Sequence, residues 1–215
     1  MSISWLDPVA PETMPDDVVA MGERHPMRTV THAAAAEVGV WQGDTPGMVQ
    51  RWFDELAGEW HTHASPDRLL PLVDALERGG PIPDHGTWLE LGCGDGWMTS
   101  TLAERAPRLI ATDLSWEMVR RVPTGPTPVL QADAAHLPLD DHAVTVAVLV
   151  NMLLFPWELD RVIAPGGVLV WLSSRGPATP IHLTPEQVAA AMPGRWGGMA
   201  GQHGTGIWTV LRRLG

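Results

Sequence analysis

The stretch Trp88-Leu-Glu-Leu-Gly-Cys-Gly-Asp-Gly96 decides the fold, because an apolar run, one acid and three glycines fall at consecutive positions. Residues 87–91 read as a short buried strand, and Gly92, Gly94 and Gly96 supply the tight turn and close backbone approach that a Cβ would obstruct. A helix is expected over 97–105. A strand, a glycine turn and a helix N-terminus leave backbone N–H groups aimed at one spot, which suits an anionic group such as a carboxylate or phosphate.

The glycine spacing narrows the ligand. The dinucleotide fingerprint G-x-G-x-x-G needs glycine at 97, where Trp97 stands, and no Gly-Lys-Ser/Thr follows to complete a nucleotide-triphosphate loop. The segment Glu90-Leu-Gly-Cys-Gly-Asp-Gly96 resembles the first motif of class I S-adenosylmethionine-dependent methyltransferases, in their small-molecule, type 11-like branch. The resemblance implies that the turn lies against the methionine portion and ribose of S-adenosylmethionine, with Glu90, Gly92, Cys93, Gly94 and Gly96 in the cofactor site. Taken alone, the same glycines also read as a structural turn between a strand and a helix.

A chain of 215 residues suits one α/β unit with an extension. The division expected is an N-terminal arm and helical lid over 1–80 and a cofactor-binding core over 81–215. Lys+Arg 14 against Asp+Glu 25 gives a net charge of -11, which disfavours nucleic acid and anionic membranes as partners. Every basic side chain of the Lys/Arg class is arginine, and tryptophan reaches 11. Cys93 is the one cysteine, so no intramolecular disulfide forms, and its place inside the glycine turn reads as a small packing residue rather than a nucleophile. The first residues carry neither a basic nor an apolar leader segment, and no run approaches the ~20 apolar residues of a membrane span. A cytoplasmic protein, monomer or homodimer, is the expectation.

Residues 1–26, with Pro8, Pro11, Pro15 and Pro26 among acids, read as an irregular arm with at most a helical turn near 16–21. A helix is expected over 27–38. A firmer one starts at Asp44 or Thr45 with Pro46 in its first turn, and Val49, Trp52, Phe53, Leu56 and Trp60 recur on one face. Ser65-Pro66-Asp67 opens the next helix, which Gly79-Gly80-Pro81 closes. In the family that the chain resembles, such helices form a lid over the cofactor and shape the substrate pocket, where Trp60 is assigned. The tryptophans also read as a plain hydrophobic seam, or as an aromatic cage for a sulfonium.

A second strand over 108–112 ends on Asp113, about 20 residues past the first glycine, where a carboxylate lies beside the ribose hydroxyls of a nucleoside cofactor. By the resemblance, Leu114 and Met118 flank the adenine or ribose, and Asp133, beside Ala134, accepts the adenine amino group. A helix over 116–122, a third strand over 128–131 and a fully apolar fourth strand over 143–150 follow. Two departures from the family appear: Val144 stands where many relatives carry an acid, and the loop before the next helix is short. Asn151-Met-Leu-Leu-Phe155 lacks the Asn-Pro-Pro-Phe/Tyr signature of the base- and glutamine-methylating branches. Asn151 reads either as a cofactor or substrate contact or as a strand cap. A helix from Trp157, a fifth strand over 168–172, a helix over 184–192 and a closing hairpin over 195–213 complete an α/β, Rossmann-like, mostly parallel seven-stranded sheet with an antiparallel C-terminal hairpin and an N-terminal helical lid.

The implied reaction is methyl transfer from S-adenosylmethionine to an O- or N-nucleophile of a small molecule. A base is required only where the nucleophile arrives protonated. His182, His61 and His63 stand as catalytic candidates, each of which also reads as a histidine without catalytic duty. Arg175 reads as an anchor for a substrate carboxylate or as a solvated loop residue. His61-Thr-His63 is no metal site, because no third ligand is spaced to join it, and no metal is expected. The alternatives are an S-adenosylmethionine-binding protein that catalyses a non-methylating reaction or serves as a binding module, and a nucleotide-sugar or dinucleotide enzyme on a similar sheet.

Overall fold

The computed structural model describes residues 3–36, 39 and 41–214. The strands in chain order are β1 (Ile3–Trp5), β2 (Trp88–Leu91), β3 (Leu109–Asp113), β4 (Val129–Gln131), β5 (Val144–Val150), β6 (Ile163–Ser173), β7 (Trp196–His203) and β8 (Gly206–Arg213). They form one eight-stranded sheet in the order β1-β7-β8-β6-β5-β2-β3-β4. Neighbours are parallel except at β8, which runs antiparallel to both β6 and β7. The chain reverses its direction of travel across the sheet at β2, which pairs with β3 on one side and β5 on the other. A crevice therefore opens at the carboxyl ends of these strands, where the crossover connections part.

The helices are α1 (Asp16–Arg24), α2 (Pro26–Ala35), α3 (Thr45–Leu56), α4 (Pro66–Arg78), α5 (Thr99–Ala103), α6 (Trp116–Val119), α7 (Pro156–Val162) and α8 (Pro185–Ala191). Both faces of the central strands are apolar, and the period of two sorts their side chains. Leu89, Leu91, Ala147, Leu149, Leu169 and Trp171 pack with residues of α7, α8 and the lid helices. Trp88, Val146, Val148, Val168 and Val170 pack against Leu72 and Leu76 of α4 and Leu102 of α5. No helix among the described residues is long and apolar enough to cross a membrane.

The structure departs from the sequence reading at the N-terminus. The sheet has eight strands rather than seven, because Ile3–Trp5 lies parallel to β7 as an edge strand. That pairing continues beyond the strand, with the N–H of Val9 donating to the carbonyl of Gln202 at 2.8 Å, so Pro8 falls where an edge tolerates a missing donor. Residues 16–24 form a full helix rather than one turn: Asp16 and Asp17 sit in its positive first turn, and Gly22 lets α1 approach the backbone of Ala178. The helix expected over 27–38 reaches Ala35, and its expected last residues, 37 and 38, lie outside the described ones. Trp60 does not continue the α3 face; it begins a separate 3-10 turn, Trp60–His63, after α3 has ended at Leu56. The strand expected over 168–172 begins at Ile163, directly from α7.

Helix α4 is fastened to the hairpin by one buried acid. Asp74, 6% exposed, accepts the indole N–H of Trp208 at 2.7 Å and pairs with Arg78 at 3.1 Å. Replacing Asp74 with Ala leaves the buried indole without its acceptor and is expected to lower stability by about 3 kcal/mol. Urea denaturation checks this, and an unchanged unfolding midpoint would contradict it.

Candidate functional site

The carboxyl ends of the central strands face a cavity of about 430 Å³. Its floor is the glycine turn after β2, one wall carries the ends of β3 and β5, and its roof comes from α3, the Trp60–His63 turn, the start of α4 and residues 175–181. A smaller depression of about 210 Å³ around Pro81, Thr145 and Arg212 involves none of the motif residues.

The turn itself needs glycine. Gly92 and Gly94 have φ of 72° and 56°, the left-handed region. A Cβ on Gly92 would stand 2.7 Å from Sδ of Met152, and one on Gly94 would stand 2.8 Å from Nε1 of Trp60. Bare peptide is therefore what the cavity presents here. Gly96 shares the positive φ, 84°, but is not part of the lining; its missing Cβ admits Val122.

Asp113 ends β3 and holds the turn. One carboxylate oxygen accepts the N–H of Gly94 and the other that of Ser115, each at 2.8 Å. Each oxygen keeps further lone-pair capacity, and the residue lines the cavity. Burial raises its pKa, against the lowering by those two N–H groups. Asp133, just past β4, lines the same cavity but is already engaged by the lid: the indole N–H of Trp41 points at its two oxygens, at 2.9 and 3.1 Å. Trp41 in turn meets Phe155 edge to face, with ring centroids 5.0 Å apart. Leu114, Met118, Ala134 and Asn151 also line the cavity.

Glu90 and Cys93 form the buried back of the turn. Glu90 is 4% exposed and accepts the hydroxyl of Thr99 at 2.6 Å. Burial pushes its pKa up to about 8, with Asp113 adding to the rise and Thr99 opposing it. Burial, then the charges of Glu90 and Asp113, push the Cys93 thiol well above its ordinary range, so it stays a thiol.

The three histidines separate. His182 is buried outside the lining, with Nδ1 2.8 Å from the hydroxyl of Ser173, and burial followed by the charges of Arg28 and His32 lowers its pKa to about 4. His61 is exposed and also outside the lining. His63 lines the cavity, 5.0 Å from the Trp60 ring, with Nδ1 3.2 Å from the Trp60 carbonyl; a proton on Nδ1 leaves Nε2 free to accept. Arg175 and Trp60 line the cavity as well.

Several lining or docking groups lie outside the motifs. His25 stacks on Trp52 at 5.3 Å, Arg68 projects from the first turn of α4, and Trp41 reaches Asp133. Asp54 of α3 accepts the Ser115 hydroxyl and the N–H of Glu117, docking the lid onto the segment after β3. Only the pairing of Trp52 with the rest of the α3 stripe carried a signal in the sequence; the others depend on which residues the lid brings over the strand ends.

Residues 89–171 match the family model described as a methyltransferase domain. A trans-aconitate 2-methyltransferase from Azoarcus sp. (strain BH72) is 32% identical over 150 residues, 60% of this chain and 53% of that protein. The chain spans about half the length of the curated relatives it matches. The structure of the DhpI–SAH complex is similar with a TM-score of 0.62 and 19% identity, covering 79% of this chain and 97% of that one. A SAM-dependent methyltransferase from Aquifex aeolicus gives a TM-score of 0.56 at 18% identity over 73% of this chain and 97% of its own. At these identities the two structures establish the fold alone.

The Glu90 environment makes a sign-definite pH prediction. Its folded pKa of about 8 exceeds the ordinary 4.5, so the folded state holds the proton more tightly and stability falls as pH rises between those values. Glu90→Gln is expected to reduce that fall, measured by denaturation at about pH 5 and about pH 9, by on the order of 2 kcal/mol. Equal slopes in wild type and variant would contradict the assignment.

Proposed function

We propose that the chain is a class I S-adenosylmethionine-dependent methyltransferase that transfers the methyl group of S-adenosylmethionine to an oxygen or nitrogen nucleophile of a small molecule, in keeping with the methyltransferase-domain match over residues 89–171. One observation carries the reading: the glycine turn, Asp113 and Asp133 converge on a single cavity at the ends of adjacent strands. The fit is chemical as well as positional. Bare peptide at Gly92 and Gly94 leaves room for an amino-acid tail, Asp113 has lone pairs for the ribose hydroxyls, and Asp133, which accepts N–H groups from Trp41 and Ala135, keeps lone-pair capacity for an adenine amino group. Bound there, S-adenosylmethionine supplies a methyl group on a positive sulfur, taken in line by an acceptor lone pair while the carbon–sulfur electron pair stays with sulfur.

The residues of the chain supply position and exclusion of water. Trp60 covers Gly94 from the lid, and Leu114 and Met118 give the nucleoside apolar contacts. Of the histidine candidates, His63 is the one lining the cavity, and it accepts the proton of a hydroxyl or ammonium acceptor. His61 and His182 have no part in this step. Arg175 faces the acceptor. In this reading residues 81–215 are the cofactor-binding core, and 1–80 supply the lid and an edge strand. A small acceptor is in keeping with the relative named for trans-aconitate. In this reading the enzyme is cytoplasmic, and a net charge of -11 disfavours nucleic acid and anionic membranes as partners.

Replacing Asp113 with Ala removes an acceptor of sugar hydroxyls and the clasp on Gly94. The expected result in titration calorimetry is at least a ~10-fold loss of affinity for S-adenosylhomocysteine, equivalent to ~1.5 kcal/mol or more. Unchanged affinity would reject the role. Transfer itself is tested by mass spectrometry of acceptor libraries incubated with S-adenosylmethionine. One methylated product with stoichiometric S-adenosylhomocysteine is expected; tight cofactor binding with no acceptor modified would instead favour a binding module.

A further inference from the structure

We propose that the acceptor carries a carboxylate and that Arg68 and Arg175 seat it on the side of the cavity away from Asp113 and Asp133. Calling the ligand an acceptor rests on the methyl-transfer reading; the anion site rests on the arginines themselves. Both arginines line the cavity. Among the described residues neither has an ion-pair partner, and the Arg175 guanidinium makes no hydrogen bond. Burial works against the Arg68 cation, and the charge of Arg175, on the same cavity, adds to that. Two like charges held together over a partly dry cavity cost free energy, which an anion between them would return.

Arg68 is aimed rather than loose. Its Nε donates to the Ser174 hydroxyl at 3.1 Å and one terminal nitrogen donates to the His63 carbonyl at 2.7 Å. Ser174 is itself fixed by Asn151: its N–H donates to the amide oxygen at 2.8 Å and its hydroxyl accepts from the amide nitrogen at 3.0 Å. The Asn151 amide is thus spent on Ser174, at the end of β5, and its effect on a ligand passes through Arg68. The other terminal nitrogen of Arg68 has no acceptor among the described residues.

The placement makes the cavity two-sided. Asp113 and Asp133 follow β3 and β4, while Ser174 and Arg175 follow β6, on the opposite side of β2 in the sheet order. A cationic cofactor and an anionic acceptor are sorted to opposite sides by this arrangement. With a net charge of -11, the chain as a whole does not draw anions, so the attraction is local to the two guanidinium groups. A planar carboxylate matches a guanidinium edge and is opposed less by the nearby acids than a phosphate dianion.

The test is titration calorimetry of the full chain, with and without S-adenosylhomocysteine, using propane-1,2,3-tricarboxylate, glutarate, the trimethyl ester of the tricarboxylate and inorganic phosphate as probes. The carboxylates are expected to bind, the ester not, and Arg68→Gln and Arg175→Gln each to weaken the carboxylates by roughly 10-fold or more. Arg175→Gln removes no side-chain hydrogen bond or ion pair among the described residues, so it remains informative if Arg68→Gln fails to fold. Phosphate binding more tightly than both carboxylates, affinity unaffected by Arg175→Gln, equal binding of the ester, or no carboxylate binding in either condition would overturn the proposal. A separate titration with S-adenosylhomocysteine alone reads the cofactor site, so loss of that binding indicts the methyltransferase reading and leaves the anion result standing.

Discussion

The grip of the Asp113 carboxylate on two backbone N–H groups is the interaction on which the site depends. By accepting from Gly94 and Ser115, it ties the end of β3 to the glycine turn after β2 and to the first turn of α6. At Gly92 and Gly94 the turn has no side chains with which to hold itself, because their left-handed backbone and the nearness of Met152 and Trp60 exclude them. A neighbouring strand therefore has to supply the restraint. The same carboxylate that shapes the turn also lines the cavity.

Around that clasp the sheet distributes charge. Strand order puts acids at the β3 and β4 ends and arginines beyond the β6 end and at the start of α4. The lid completes the enclosure with aromatic surface: Trp41 on Asp133, Trp52 against His25, Trp60 over Gly94. It is docked by hydrogen bonds that the segment after β3 donates to Asp54, so lid and strand ends form one surface. Aromatic side chains and strand ends in this way bound a single cavity.

Much of this was legible in the sequence where the pattern is local. The apolar runs of β2 and β5, the glycines at positive φ, and the acid after β3 are dictated by nearby residues, and the parallel sheet follows from their alternation with helices. The edge strand β1 was not legible: its three residues pair with a strand almost two hundred positions later, and its proline-rich flank reads as irregular. Trp41 and Arg68 escaped for the same reason. Each owes its place to a long-range hydrogen bond, to Asp133 and Ser174, that no spacing announces. His182 misled because proximity to the cleft along the chain says nothing about which way a side chain turns, and here it turns into the protein toward Ser173.

The position in which a nucleoside settles bears most directly on the role of Asp113. A crystal structure of the protein grown with S-adenosylhomocysteine is expected to show both ribose hydroxyls within hydrogen-bond distance of the Asp113 carboxylate, the adenine beside Asp133 and the amino-acid tail along Gly92 and Gly94. Density for the ligand elsewhere, or an empty cavity at saturating ligand, would contradict it.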